Sequence, residues 1–278
     1  MMVSPKRLLL RNLHRGSLHL VFWVLLVCGM GIVSGSLASS AIPDSNRIRG
    51  HQFGPGEKMI FNITYGIVVA GEATLEIAGM TEYQGHLCYN IQSKTKSNRF
   101  FSSIYKVRDK IVSYIDFEQL YSRYFYKRLR EGDYKKNVEI SFDHEAKLAR
   151  YSNGDEYPTV AGVQDVLSAF YYVRSLELEP GGVYAVPAHS SRKTYDLKVL
   201  VHGRERVKVP AGEWDCLVVE PVIEGEGLFK HEGKLTLYLT DDEFKIPVMI
   251  KTKVPLGTID VELKEYRPGH SAPVENDS

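Results

Sequence analysis

The chain has 278 residues, with 35 basic and 34 acidic side chains and three cysteines. That balance excludes the strongly basic character of a nucleic-acid binder. The length suits one large domain or two small ones, with a core that needs no metal or disulfide staple.

The first segment carries Lys6, Arg7, Arg11 and Arg15, with no acid before Asp44. An uncharged apolar run follows from Leu18 to Val33, then a tail of small residues from Ser34 to Ala41. This is the layout of a secretory signal peptide, covering residues 1–38 with cleavage after Ala38, or after Ala41. The alternative is an inner-membrane anchor over residues 18–33, since that run approaches the roughly 20 apolar residues that span a bilayer. Cys28 is preceded by Val27, where a lipoprotein site needs a small residue. Without residues 1–38 the chain holds 31 basic and 34 acidic residues. The expected location is the periplasm.

Residues 39–55 are polar, with Gly and Pro, and read as a flexible leader. A single β-rich domain is expected over 56–267. Lys58 to Tyr65 alternates, with Met59, Phe61, Ile63 and Tyr65 in phase, and pairs through a turn at 66–71 with a strand over 72–80. Strands follow at 87–94, 107–115, 119–131, 134–142 and 147–151, with a short helix or irregular corner at 98–105. Val163 to Leu178 is the one long segment of helical period. Val163, Val166, Leu167, Phe170 and Leu178 share its apolar face, and Gln164, Asp165, Ser168, Tyr172 and Ser175 the other. Further strands are expected at 184–187, 193–202, 205–209, 214–223, 235–239, 248–253 and 258–266, before a polar tail at 268–278. About thirteen short-linked strands and one helix imply a mainly β fold. The expected form is a large, curved antiparallel sheet, open or partly closed as a barrel, with the helix on its concave side.

The segments GEKMIFNITYGIVVAGEATLEI, YKVRDKIVSYID, KRLREGDY, VQDVLSAFYYVR, VKVPAGEWDCLVVEP, YLTDDEFKIPV and KVPLGTIDVEL occur in that order. Together they resemble the bacterial exported domain-of-unknown-function family 3108, over residues 55–267. The resemblance implies a Gram-negative envelope protein with a large curved sheet, distantly like the open half-barrels of periplasmic lipid and lipoprotein carriers. It implies no catalytic residues.

Motifs for hydrolytic, nucleotide or metal chemistry are missing from the sequence. The histidines are scattered singly, and the paired Asp241 and Asp242 fall short of the oxygen set calcium takes. No enzyme, cofactor or metal is expected. Binding features are stronger. The stretch 121–136 interleaves aromatic and basic residues, and alternation sets Tyr124, Tyr126, Arg128 and Arg130 on one face. Rings beside cations suit an anionic amphiphile, an envelope lipid or lipopolysaccharide, or an anionic glycan; an ordinary amphipathic strand is the alternative.

Arg174 falls on the apolar face of the helix, near Phe170 and Tyr171. Glu220 falls among Trp214, Cys216, Val218 and Val222. Two misplaced opposite charges suggest one buried pair, which could also serve a ligand headgroup. The alternative is that both reach solvent at the rim. An oxidising compartment permits a Cys88–Cys216 disulfide, against two separate buried thiols. The function expected is therefore a non-catalytic binder or carrier of a hydrophobic or anionic envelope ligand. The alternative is a structural protein that contacts an envelope partner.

Overall fold

The computed structural model describes residues 52–223, 235–254 and 257–270; the signal and anchor segment, residues 39–51 and the end of the tail lie outside them. The first half of the chain forms β1 (Lys58–Tyr65), β2 (Val68–Tyr83), β3 (His86–Ser97), the short helix α1 (Arg99–Ser102), β4 (Arg108–Asp116), β5 (Ser122–Glu131), β6 (Tyr134–Asp143), β7 (Leu148–Tyr151) and β8 (Glu156–Pro158). Helix α2 (Val166–Ser175) follows. The second half forms β9 (Val183–Ser190), β10 (Lys193–Val209), β11 (Gly212–Ile223), β12 (Leu235–Thr240), β13 (Pro247–Val254) and β14 (Gly257–Arg267).

All fourteen strands form one antiparallel sheet in the order β8-β7-β6-β5-β4-β3-β2-β1-β14-β13-β12-β11-β10-β9. Two meanders, β1–β8 and β9–β14, are joined where β1 pairs with β14. The sheet is not closed: β8 and β9 are its edges. Side chains bridge the gap between them. Tyr151 Oη lies 3.0 Å from His189 Nε2, and Thr194 Oγ1 donates to the Pro158 carbonyl at 3.0 Å.

Alternation puts Met59, Phe61 and Ile63 of β1, Ala73, Leu75 and Ile77 of β2, and Ile259, Val261 and Leu263 of β14 into one continuous core. A flat sheet of this size would leave that face in water. Extra residues at Ile60/Phe61, Ile77/Gly79 and Val201/Gly203 bend the strands and curl the sheet around its apolar face. The bulge at Gly79 uses φ +149°, a region that residues with a Cβ rarely adopt. The strands expected at 193–202 and 205–209 are one long β10 that passes through its bulge.

The registers define two rims. The turns β1–β2, β3–β4, β5–β6, β9–β10 and β13–β14 lie at one, the hairpin rim. The turns β2–β3, β4–β5, β10–β11 and β12–β13, with the chain entry to β1, lie at the other, the helix rim.

Helix α2 is shorter than its periodicity predicts. Gln164 forms a single parallel bridge with Ala188 of β9, so the helix cannot begin at Val163. Asp165 is the N-cap, and Leu176 turns extended at φ −82°, ψ 155°. The predicted polar face is not solvated either: Gln164, Asp165, Ser168, Tyr172 and Ser175 are all buried. The sheet wraps the helix, so both faces meet protein.

Described contacts extend beyond 56–267 at both ends. Phe53 is buried against Tyr89 and Tyr171, and the His270 amide donates to the Pro55 carbonyl. Cys88 of β3 and Cys216 of β11 are free, buried thiols, so the disulfide is corrected. Five strands separate theirs in the sheet, far beyond the roughly 7 Å Cα limit of a bridge. Burial pushes their thiols up, to about 11 and about 12.

Candidate functional site

Both ends of α2 are fastened at the helix rim. At the start, the Asp165 carboxylate accepts from the Leu167 and Ser168 amides at 2.7 and 3.1 Å, and the Ser168 hydroxyl receives the Asp165 amide in return at 2.8 Å. Its second oxygen accepts from Ser113 of β4 at 2.6 Å and from Ser122 of β5. A helix cap that also reaches two strands fixes the helix in translation as well as rotation. Burial raises the Asp165 pKa while these four hydrogen bonds oppose the rise. Gln164 adds a bond to the Leu120 carbonyl at 3.0 Å.

At the other end, Arg174 makes a two-pronged ion pair with Glu57, both contacts at 2.8 Å. Neither side chain reaches solvent. Arg174 also donates to the Phe244 carbonyl at 3.2 Å and lies over the Phe53 and Tyr171 rings. Every donor direction with a strong acceptor is used, so the charge is tolerated in the core. The expected partner, Glu220, is corrected. It lies on the outer face of β11, where it meets His202 of β10. Alternation grouped Trp214, Cys216, Val218 and Glu220 properly, but the other set, Leu217, Val219, Pro221 and Ile223, faces inward. Both faces of this strand are apolar, so the pattern could not say which one was in.

Between these two anchors, α2 turns Val166, Ala169, Phe170 and Val173 towards β9–β14, β1 and β2. These positions lie at i, i+3, i+4 and i+7, one face of a helix. Ala169 and Val173 are small, and the curved sheet opposite does not collapse onto them. A cavity of about 170 Å³ remains. Its sheet wall is Phe61, Leu75, Val199, Val219, Leu237, Ile250 and Val261, and it extends to Tyr195, Ile223 and Leu235 at the hairpin rim. Those three are only half-buried.

Two of the polar groups at the wall, Asp165 and His189, are committed elsewhere. Asp165 holds the cap. Thr194 Oγ1 donates to Pro158, so it accepts from His189 Nδ1–H at 2.9 Å, which leaves Nε2 to accept from Tyr151. His189 is therefore the neutral Nδ1–H tautomer, and burial lowers its pKa to about 4. Among the described residues no cation lines the cavity. Among the described residues no three His, Cys, Asp or Glu side chains converge to hold a metal ion.

Of the predicted site residues, Phe170 lines the cavity, whereas Tyr171 and Arg174 belong to the Glu57 anchor beside it. Tyr124, Tyr126, Arg128 and Arg130 do share a face of β5, but it is the outer one, away from the cavity. Tyr124 stacks on Tyr114 at 4.9 Å and donates to Glu139, and Arg130 donates to Asn137 at 3.0 Å. Phe125 and Leu129 fill the core from the opposite face.

Sequence reasoning missed a second buried acidic group. Asp109 of β4 and Glu131 of β5 both point inward and are buried, each carboxyl acting on the charge of the other. Burial, then the Asp109 charge, pushes Glu131 up to about 7; burial also raises Asp109. Strand phase could have found it, since Val107, Asp109, Ile111 and Ser113 alternate inward. Glu57 gave a fainter signal, a lone acid just ahead of the first strand.

Fold and cavity together define an open, barrel-like antiparallel β-protein folded around an apolar pocket. A solved structure of that description is similar: the β-barrel-like DUF1849 protein of Brucella abortus, at 10% identity and TM-score 0.51, covering 79% of this chain and 100% of that one. Weaker likenesses are a candidate exported protein with a YmcC-like fold from Bacteroides fragilis (12%, TM-score 0.36, 80% and 99%) and a candidate lipoprotein from Parabacteroides distasonis (10%, TM-score 0.33, 78% and 99%). No curated protein matches. The chain belongs to DUF3108, a protein family of unknown function, whose model matches residues 60–264.

Proposed function

We propose that this protein is a non-catalytic carrier or binder of a hydrophobic envelope ligand, with the cavity beside α2 as its site. The cavity carries the reading: an apolar space of about 170 Å³. An apolar cavity near 150 Å³ stays dry and takes up a benzene-sized guest. This one holds a stretch of a single hydrocarbon chain and leaves any headgroup outside. Its largely apolar wall, with no cation among the described residues, favours an acyl tail over an anionic glycan. The basic N-terminal segment and the apolar run of residues 18–33 support export to the periplasm. No helix of the described residues is long and apolar enough to cross a membrane.

The test is mass spectrometry of organic extracts from protein purified out of its native envelope, beside an Ala169→Phe variant. Wild type should release an acyl-chain lipid in stoichiometric amount, and the variant much less at unchanged circular dichroism. Equal lipid from both proteins would overturn the assignment of the site.

A further inference from the structure

The hairpin rim breaks the usual rule for turns. The tip between β1 and β2 reads Gly66-Ile67-Val68-Val69 where Asn, Asp or Ser is ordinary. Ile67 is 100% exposed, and Val68 and Val69 are 48% and 44% exposed. The neighbouring corner, α1 and the residues after it, exposes Phe100 at 68% and Ile104 at 52%. Asn98 locks the two together. Its amide donates to the Ala70 carbonyl at 2.9 Å and its side chain to the Val69 carbonyl at 2.6 Å. Five exposed apolar side chains thus share one rigid place on the surface, which marks an interaction site rather than scatter.

The flanks carry charge of one sign. Arg99, Lys106, Arg108, Arg128, Lys135 and Lys136 are exposed on the α1 corner and on β4–β6 near the same rim. None of the six is in an ion pair with a described carboxylate, whereas Lys94 and Lys96, further down β3, are paired with Glu76 and Glu72. Among the described residues, the acids within this part of the rim are the buried pair Asp109–Glu131 and the single exposed Asp133. Apolar tips ringed by unpaired cations complement a surface with an apolar interior and anionic headgroups.

We propose that the hairpin rim docks on an anionic lipid bilayer, with Ile67 and Phe100 at the level of the headgroups and the flanking cations on the phosphates. This rests on the carrier reading and deepens it. The half-buried end of the cavity, Tyr195, Ile223 and Leu235, lies at the same rim, and the β1–β2 tip extends two strands that wall the cavity. A docked rim presents the cavity to the membrane from which an acyl chain would come.

The test places a tryptophan at the tip of the full chain, Ile67→Trp, and reads quenching by vesicles whose acyl chains are brominated, against wild type as background. A depth-resolved signal is needed because residues 18–33 could bring any variant to a membrane. Leu87→Trp, at a 51% exposed site on the helix rim, is the control. With phosphatidylglycerol-rich vesicles the tip should be quenched several-fold more than the control. Phosphatidylcholine vesicles, or the combined Arg99→Gln, Lys106→Gln and Arg108→Gln variant, should remove most of that excess.

Equal quenching at both rims, or no dependence on lipid charge, would overturn the proposal. So would an oligomer that Ile67→Asp converts to monomer, since the patch would then be a subunit interface. Adding Ala169→Phe to the tip variant should leave quenching unchanged. Docking that fails while wild type still yields acyl lipid removes this inference and leaves the cavity reading standing. Docking that persists with lipid-free extracts removes the carrier reading alone.

Discussion

The two sides of helix α2 are built by opposite rules. Towards β4, β5 and the helix rim it is polar and hydrogen-bonded: Asp165 to two serines, Gln164 to Leu120, Arg174 to Glu57. Towards β9–β14 it is apolar, with small side chains and a space left over. An apolar cavity ordinarily shrinks as its walls relax inward. Here the helix forming one wall is held at both ends by directional bonds, which resist that movement. Polar burial on one side maintains the opening on the other.

Breaking the polar side should have the largest effect. Glu57→Gln leaves the Arg174 guanidinium buried without its counter-charge, which should cost about 3–5 kcal/mol. Urea unfolding measures it. Combined with Arg174→Met, the loss should be much smaller than the two single losses summed. Additive losses would mean that the residues do not act as a pair.

Second in size is a pH effect from the far end of β4 and β5. The folded chain holds protons on Asp109 and Glu131 more tightly than the unfolded chain does. The stability that the Glu131 proton adds is fully present below about pH 4.5 and is lost as pH rises through about 7, where Glu131 ionises in the fold. The loss should be on the order of 3 kcal/mol. Glu131→Gln should flatten the dependence across that window. An unchanged pH profile would show that Glu131 does not hold its proton in the fold.

Asp165→Ala should cost about 2 kcal/mol, from a lost N-cap and two buried serine hydroxyls left without their acceptor. If α2 is fastened as described, this variant should also bind hydrophobic probes less tightly, although Asp165 is committed to the cap. The smallest stability effect belongs to the cavity itself. Ala169→Phe adds apolar volume where there is room, so thermal unfolding should shift by less than about 1.5 kcal/mol in either direction.

Strand alternation made the sheet legible, because a curved sheet with one buried face repeats every two residues along β1, β2 and β14. It could not choose between the faces of β11, where Val218 and Val219 are equally apolar, and so it paired Arg174 with Glu220 instead of Glu57. The misplaced arginine was visible; its partner, 117 residues earlier, was not, since only the β1–β14 junction brings the chain entry beside the helix. Helical periodicity located α2 but not its burial on both sides, which depends on how far the sheet curls. The cavity left no sequence signal. It comes from Ala169 and Val173 meeting a wall of strands from both halves of the chain.

The most direct test of a cavity held open for a hydrocarbon chain is a titration of delipidated protein with a fluorescent fatty acid. Wild type should bind one equivalent saturably. Ala169→Phe should weaken that binding at least tenfold, and Tyr126→Ala, on the outer face of β5, should leave it unchanged. Equal binding by wild type and Ala169→Phe, or loss of binding in Tyr126→Ala alone, would contradict the account.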